Sequence, residues 1–134
     1  MPGIDETRAY LRISGDDLEP DAITSALGAT PTYAVRKGEL HRQRAANTGR
    51  WVIEAAPSKP SDLDRQITEL LARMTDDLAR WKSITGRYQA MFYCSAFMAQ
   101  TNEGAEIAPT TLVALGARGI SFGLDIYAPR DVAE

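Results

Sequence analysis

The chain has 134 residues, of which 44% are hydrophobic and 25% charged, with a net charge of −3. That is the size and composition of one globular domain able to bury a continuous core unaided, and the net acidity argues against non-specific nucleic-acid binding by the whole molecule. The single cysteine, Cys94, excludes an intrachain disulfide and with it a secreted fold held together by such bonds.

The first residues, Met1 to Glu6, show neither an apolar run nor a basic lead-in, so they do not read as a signal peptide. The longest apolar stretch, Ala90 to Ala99, is interrupted by Ser95 and is too short to span a bilayer. The expectation is a cytoplasmic protein, one domain over 1–134, with flexible ends at 1–6 and 129–134.

In chain order, Thr7 to Ser14 alternates Ala9, Leu11 and Ile13 with Arg8, Tyr10 and Arg12, the pattern of a half-buried strand. Gly15-Asp16-Asp17 ends it. Pro20 to Leu27 predicts a short helix, with Pro20 and Asp21 suited to its first turn and Gly28 to its C-terminal cap. Tyr33–Arg36 and Arg50–Ala55 read as two strands joined by a long polar loop. Ser61 marks the start of a long helix running to about Ile84. Leu63, Ile67, Leu70, Leu71, Met74, Leu78 and Trp81 form its apolar stripe. Tyr88–Met98 is apolar on both faces and is placed inside the sheet. Thr101–Glu106 is a polar loop, and Pro109 to about Leu115 a second short helix. The last strand, Ile120–Tyr127, alternates Ile120, Phe122, Leu124 and Ile126 with polar or small residues.

The predicted order is β-α-β-β-α-β-α-β. This is an α+β fold: an antiparallel or mixed sheet of about five strands, helices mainly on one face, its first six elements matching a ferredoxin-like core.

The same landmarks carry a resemblance. Tyr10-Leu11-Arg12-Ile13-Ser14-Gly15-Asp16-Asp17-Leu18-Glu19-Pro20 is followed by Leu27-Gly28, Pro31-Thr32, Lys37-Gly38-Glu39, Gly49-Arg50-Trp51 and Leu124-Asp125-Ile126-Tyr127. In order and spacing this resembles the bacterial family catalogued as domain of unknown function 4279, over nearly the whole chain. The resemblance implies an α+β fold and assigns no catalytic residue. Small bacterial families of this kind often resemble immunity proteins, which act by binding. Where the family often has an aromatic residue before Lys-Gly-Glu, this chain has Val35-Arg36.

Two clusters stand out as sites. The first is the basic loop, where Arg36, Lys37, His41, Arg42, Arg44 and Arg50 face one acid, Glu39, with Tyr33 and Trp51 at its ends. It suits an acidic partner, or a phosphate backbone with the aromatics stacking on bases; the plainer reading is a solvated loop with Trp51 in the core. The second is the wet face of the sheet, where Tyr10, Arg12, Asp125 and Tyr127 could line a ligand site, with an Arg12–Asp125 pair if the first and last strands are neighbours. One histidine and one cysteine give no usual metal-ligand spacing. A Cys94–His41 nucleophile pair is conceivable, but Cys94 reads better as a small buried hydrophobe. Asp16, Asp17, Glu19 and Asp21 read as turn and helix-start residues rather than a cation site.

The sequence therefore favours a non-catalytic protein-binding module, immunity-like or regulatory, with no catalytic residue, metal or cofactor assigned. Its partner is an unidentified and acidic protein, with no membrane association. The alternatives are a small-ligand-binding protein or enzyme using the sheet face, and nucleic-acid binding through the 36–50 loop, which the charge balance disfavours. Strand-edge pairing would allow a homodimer.

Overall fold

Strand β1 (Ile4–Gly15) is the middle of a five-stranded sheet and pairs antiparallel on both sides. On one side it meets β5 (Gly49–Glu54), whose outer neighbour is β2 (Tyr33–Val35). On the other it meets β6 (Gln89–Met98), followed by β7 (Ser121–Tyr127). A computed structural model describes residues 4–59, 61–99 and 104–129. Of the ends expected to be flexible, 1–6 and 129–134, residues 1–3 and 130–134 lie outside the described residues, as do Pro60, Gln100 and the first part of the 101–106 loop, whereas residues 4–6 belong to β1.

The order β2-β5-β1-β6 with two intervening helical segments is a ferredoxin-like arrangement. To it α4 (Pro109–Arg118) adds β7 beside β6. The alternation of the last strand suggested antiparallel pairing, but β7 runs parallel to β6, as a strand returning through a crossover helix must.

The alternation of β1 sets the two faces. Ala9, Leu11 and Ile13 point to one side, level with Ile53 and Trp51 of β5 and with Cys94, Phe92 and Ala90 of β6. All are buried. Onto this side pack α1 (Pro20–Leu27), α2 (Leu63–Ala72), α3 (Leu78–Thr85) and α4, through Ile23, Leu27, Ile67, Leu70, Trp81 and Leu115. Both indoles are fully buried and satisfied: Trp51 Nε1 donates to Thr24 Oγ1 at 3.0 Å, and Trp81 Nε1 to the Thr75 carbonyl at 2.7 Å.

A polar clamp ties α2 to the sheet. Thr7 Oγ1 donates to Gln66 Oε1 at 2.6 Å, and Gln66 Nε2 donates to the carbonyls of Thr7 and Ala56 at 2.9 Å. Both residues are buried, so each hydrogen bond offsets a desolvation penalty of about 1–3 kcal/mol.

The structure corrects several expectations. The long helix over 61–84 is two helices, because Asp77 caps a new start by accepting from the amides of Ala79 and Arg80. The Thr75 amide donates to the Leu27 carbonyl, which holds the chain in a break at that point. Leu78, placed in the apolar stripe, opens the second helix and is 41% exposed. Asp62, not Ser61, caps α2 by accepting from the Arg65 amide. The polar loop between β2 and β5 is also not structureless: it holds a small hairpin, β3 (Leu40–His41) and β4 (Arg44–Ala45). Leu124, expected in the dry interior, is 40% exposed beside Phe122 and Ile126 on β7, the edge strand of the sheet.

Phe92 of β6, level with Leu11 of the central strand, is fully buried on the helix side of the sheet. Phe92→Ala should lower stability by about 3–5 kcal/mol in denaturant unfolding; an unchanged midpoint would contradict this core.

Candidate functional site

The face of the sheet away from the helices carries Arg8, Tyr10 and Arg12 from β1, and Met91, Tyr93, Ser95 and Phe97 from β6. β7 adds Gly123, Asp125 and Tyr127. These residues form stacked pairs. Tyr10 and Tyr93 lie with ring centroids 5.3 Å apart, and Phe97 and Tyr127 with centroids 4.9 Å apart. Arg12 sits 4.5 Å over the Tyr93 ring and donates to its hydroxyl, and Arg8 sits 5.5 Å over Phe97. Such guanidinium–ring contacts hold cations flat on the aromatic surface.

The hairpin closes one end of this face. Val35 and Val52 point away from the helices, yet they are buried, as is Ala46. None of the three belongs to the main core; they form a small apolar floor under β3 and β4. Tyr33 stacks on His41 at 4.5 Å, so the hairpin rests on β2 through two rings. The Gly38 amide donates to the Ala46 carbonyl and the Ala46 amide to the Glu39 carbonyl, which closes the base of the hairpin. Gly49 begins β5 where a Cβ would lie 2.8 Å from the Gly15 carbonyl oxygen, so only glycine allows this close return.

The tip of the hairpin is strained. Arg42 and Gln43 have φ of 52° and 67°. Two-residue hairpin turns of this hand usually carry Asn-Gly, and non-glycine residues there cost about 1–2 kcal/mol each. Strain of this kind is retained where the surrounding structure or a function requires it.

Two hollows meet at the hairpin. One, of about 390 Å³, is lined by Tyr10, Thr32, Tyr33, His41, Arg42, Val52 and Glu54. The other, of about 480 Å³, is lined by His41, Arg42, Arg44, Ala45, Ala46, Asn47 and Arg50. His41 and Arg42 are common to both. The second hollow has three guanidiniums and no carboxylate in its lining. Among the described residues Arg42, Arg44 and Arg50 make no ion pair, and Arg50 Nε is buried without a hydrogen-bond partner.

The basic loop therefore divides. Arg36 pairs with Glu19 at 2.9 Å and with Glu39, and Lys37 pairs with Asp16 at 3.2 Å. Asp17 pairs with Arg87 at 2.6 Å. The hydrogen bonds they donate to Glu19 and Asp17 hold the guanidiniums of Arg36 and Arg87 above their ordinary pKa. Asp16 and Asp17 are held below theirs, by hydrogen bonds from Thr48 and Lys37 and from Arg87 respectively. The loop thus faces more acids than Glu39 alone, and Arg36 and Lys37 are already neutralised. Trp51 is core and cannot stack on a ligand; Tyr33 can.

The sheet-face cluster divides as well. β6 separates β1 from β7, so Arg12 lies level with Met91 and Asp125 with Ser95, and the expected Arg12–Asp125 ion pair is absent. Tyr10 and Arg12 stand near the hairpin end, whereas Tyr127 stacks at the far end and is 49% exposed. Partial burial raises the Tyr10 phenol above its ordinary pKa, against the opposing pull of Arg12. Tyr93 and Phe97 were missed by the sequence reading, because β6 looked apolar on both sides. Their signal was a second period of two, Met91, Tyr93, Ser95 and Phe97, interleaved with Ala90, Phe92, Cys94 and Ala96.

Cys94 and His41 do not meet. Cys94 points into the helix-side core, and His41 lies on the opposite side of the sheet. Burial pushes the Cys94 thiol up to about 12, so it stays protonated and unreactive near neutrality. Among the described residues no group of three or more His, Cys, Asp or Glu side chains could hold a metal ion. None of the described helices is long and apolar enough to cross a membrane. At pH 8 the native thiol should resist a disulfide-exchange reagent that modifies it at once in denaturant. Equal rates in both conditions would overturn its placement.

No curated protein and no solved structure matches the chain. Residues 5–129 match the model of a family described as domain of unknown function DUF4279. With nearly its whole length covered, the chain belongs to the DUF4279 family.

Proposed function

We propose that this domain is a non-catalytic protein-binding module. It takes an acidic segment of its partner on the open sheet face, beside the basic hairpin. One observation carries the reading: a carboxylate-free hollow of three arginines shares His41 and Arg42 with an aromatic hollow, which opens onto the stacked rings of the sheet. Charges at such a rim steer an acidic partner and select its register. Arginine and tyrosine at the centre of a contact supply much of the binding energy. The aromatics run on from the hairpin end to Phe97 and Tyr127, which suits an extended chain better than one compact molecule. The lone, buried thiol fits a cytoplasmic setting, and the family resemblance an immunity-like or regulatory role in bacteria.

The test is capture of a partner from the native host by wild-type protein and by an Arg42→Glu/Arg44→Glu double variant. An Arg73→Glu/Lys82→Glu variant, altered on exposed residues of the helix side, is the control. The hairpin variant should lose at least about tenfold in affinity, or about 1.4 kcal/mol, and the control should bind as wild type. Unchanged binding by the hairpin variant would remove the arginines from recognition.

A further inference from the structure

We infer that the arginine hollow at the hairpin is a phosphoryl site. This deepens the reading above by naming the acidic group: a phosphate monoester carried on a flat ring, as in a phosphorylated tyrosine side chain of the partner.

The number of donors is the first argument. Arg42, Arg44 and Arg50 line one hollow of about 480 Å³, and among the described residues none is paired to a carboxylate. One carboxylate has two oxygens and is satisfied by a single guanidinium fork. A phosphate monoester presents three terminal oxygens and up to two negative charges, which several forks can share. Asn47 adds an amide to the same lining.

The second argument is Arg50. Its Nε is buried and lacks a hydrogen-bond partner. Arg118 Nε is unpaired in the same way, but Arg50 lines a hollow with two further arginines, where a bound anion would supply acceptors once the guanidinium turns toward it. The nearby bases do not suffer this: Arg36 and Lys37 are matched by Glu19 and Asp16. The fold neutralises Arg36 and Lys37 and leaves the arginines that line the hollow without a carboxylate.

The third argument is backbone. The tip residues Arg42 and Gln43 both adopt left-handed conformations that glycine would enter more easily. An arginine kept at this position places a guanidinium in the lining of both hollows. The ring follows from the neighbouring hollow, where Tyr10, Tyr33 and His41 offer stacking surfaces next to the shared Arg42.

The experiment titrates the intact protein with phenyl phosphate, benzoate and inorganic phosphate, followed by amide chemical shifts. Phenyl phosphate should bind at least about tenfold tighter than benzoate, with shifts centred on residues 41–50. Inorganic phosphate should bind there more weakly, because it lacks the ring. Arg50→Gln should abolish the phosphate preference. Because Arg50 is partly buried, Arg44→Gln at an exposed hairpin position serves as the variant least able to disturb folding, and it should weaken phenyl phosphate several-fold. Tyr33→Ala should bring phenyl phosphate down to the affinity of inorganic phosphate. Adenosine monophosphate separates the sources: tighter binding of the nucleotide than of a phosphotyrosine peptide would overturn the assignment to a protein side chain. Equal affinity for phenyl phosphate and benzoate, or binding unchanged in Arg44→Gln, would overturn the phosphoryl site itself. Partner capture that still depends on Arg42 and Arg44 would then leave the protein-binding reading standing without it.

Discussion

The rest of the structure depends on how Leu11 is held. It lies at the middle of the central strand, level with Ile53 on one side and Phe92 on the other, and all three are fully buried. Because side chains alternate along a strand, burying Leu11 commits Tyr10 and Arg12 to the opposite face. A slip of one residue would put Arg12 into the core and Leu11 into water. The same constraint propagates through both neighbouring ladders. It turns Tyr93 and Phe97 outward on β6, and it turns Val52 toward the hairpin on β5. The aromatic surface is a consequence of core packing.

The hairpin is the second element of the account, and its position is also set by burial. Val35 and Val52 are apolar residues on the face that has no helices, and with Ala46 they need a cover. The hairpin supplies it, and Tyr33 and His41 fix it by stacking. Docking the hairpin brings Arg42 from a polar loop to the edge of a face built by β1. Local charge then sorts the basic residues. Those near the β1–α1 turn find Asp16 and Glu19, and those lining the hollow at the hairpin find no acid. Fold and electrostatics together make an anion-accepting hollow in a protein whose net charge is −3.

Much of the fold was legible because its signals are local. The alternation of Ala9, Leu11 and Ile13, the cap at Gly28 and the stripe from Leu63 to Trp81 each depend on a few neighbouring residues. The break between α2 and α3 was hidden because the apolar spacing carries on across it; only the side chain of Asp77 reports the new start. The edge position of β7 was hidden because Phe122, Leu124 and Ile126 alternate as a buried strand would, while a strand's place in the sheet is a tertiary property. The candidate site was half legible. The basic residues and the tyrosines of β1 could be named one by one, but their meeting depends on a hairpin folding back across the sheet. No spacing along the chain encodes that contact, and the left-handed turn that permits it carries Arg42-Gln43 in place of the usual Asn-Gly.

The central claim is that the hairpin lies on the open face and joins its arginines to the aromatic surface. The most direct measurement is a proton nuclear Overhauser experiment between the single His41 ring and the tyrosine rings. With ring centroids 4.5 Å apart, His41 and Tyr33 should give strong cross-peaks, and none should link His41 to the rings of the helix-side core. A His41 ring with no tyrosine contact, averaging freely in solvent, would contradict the account.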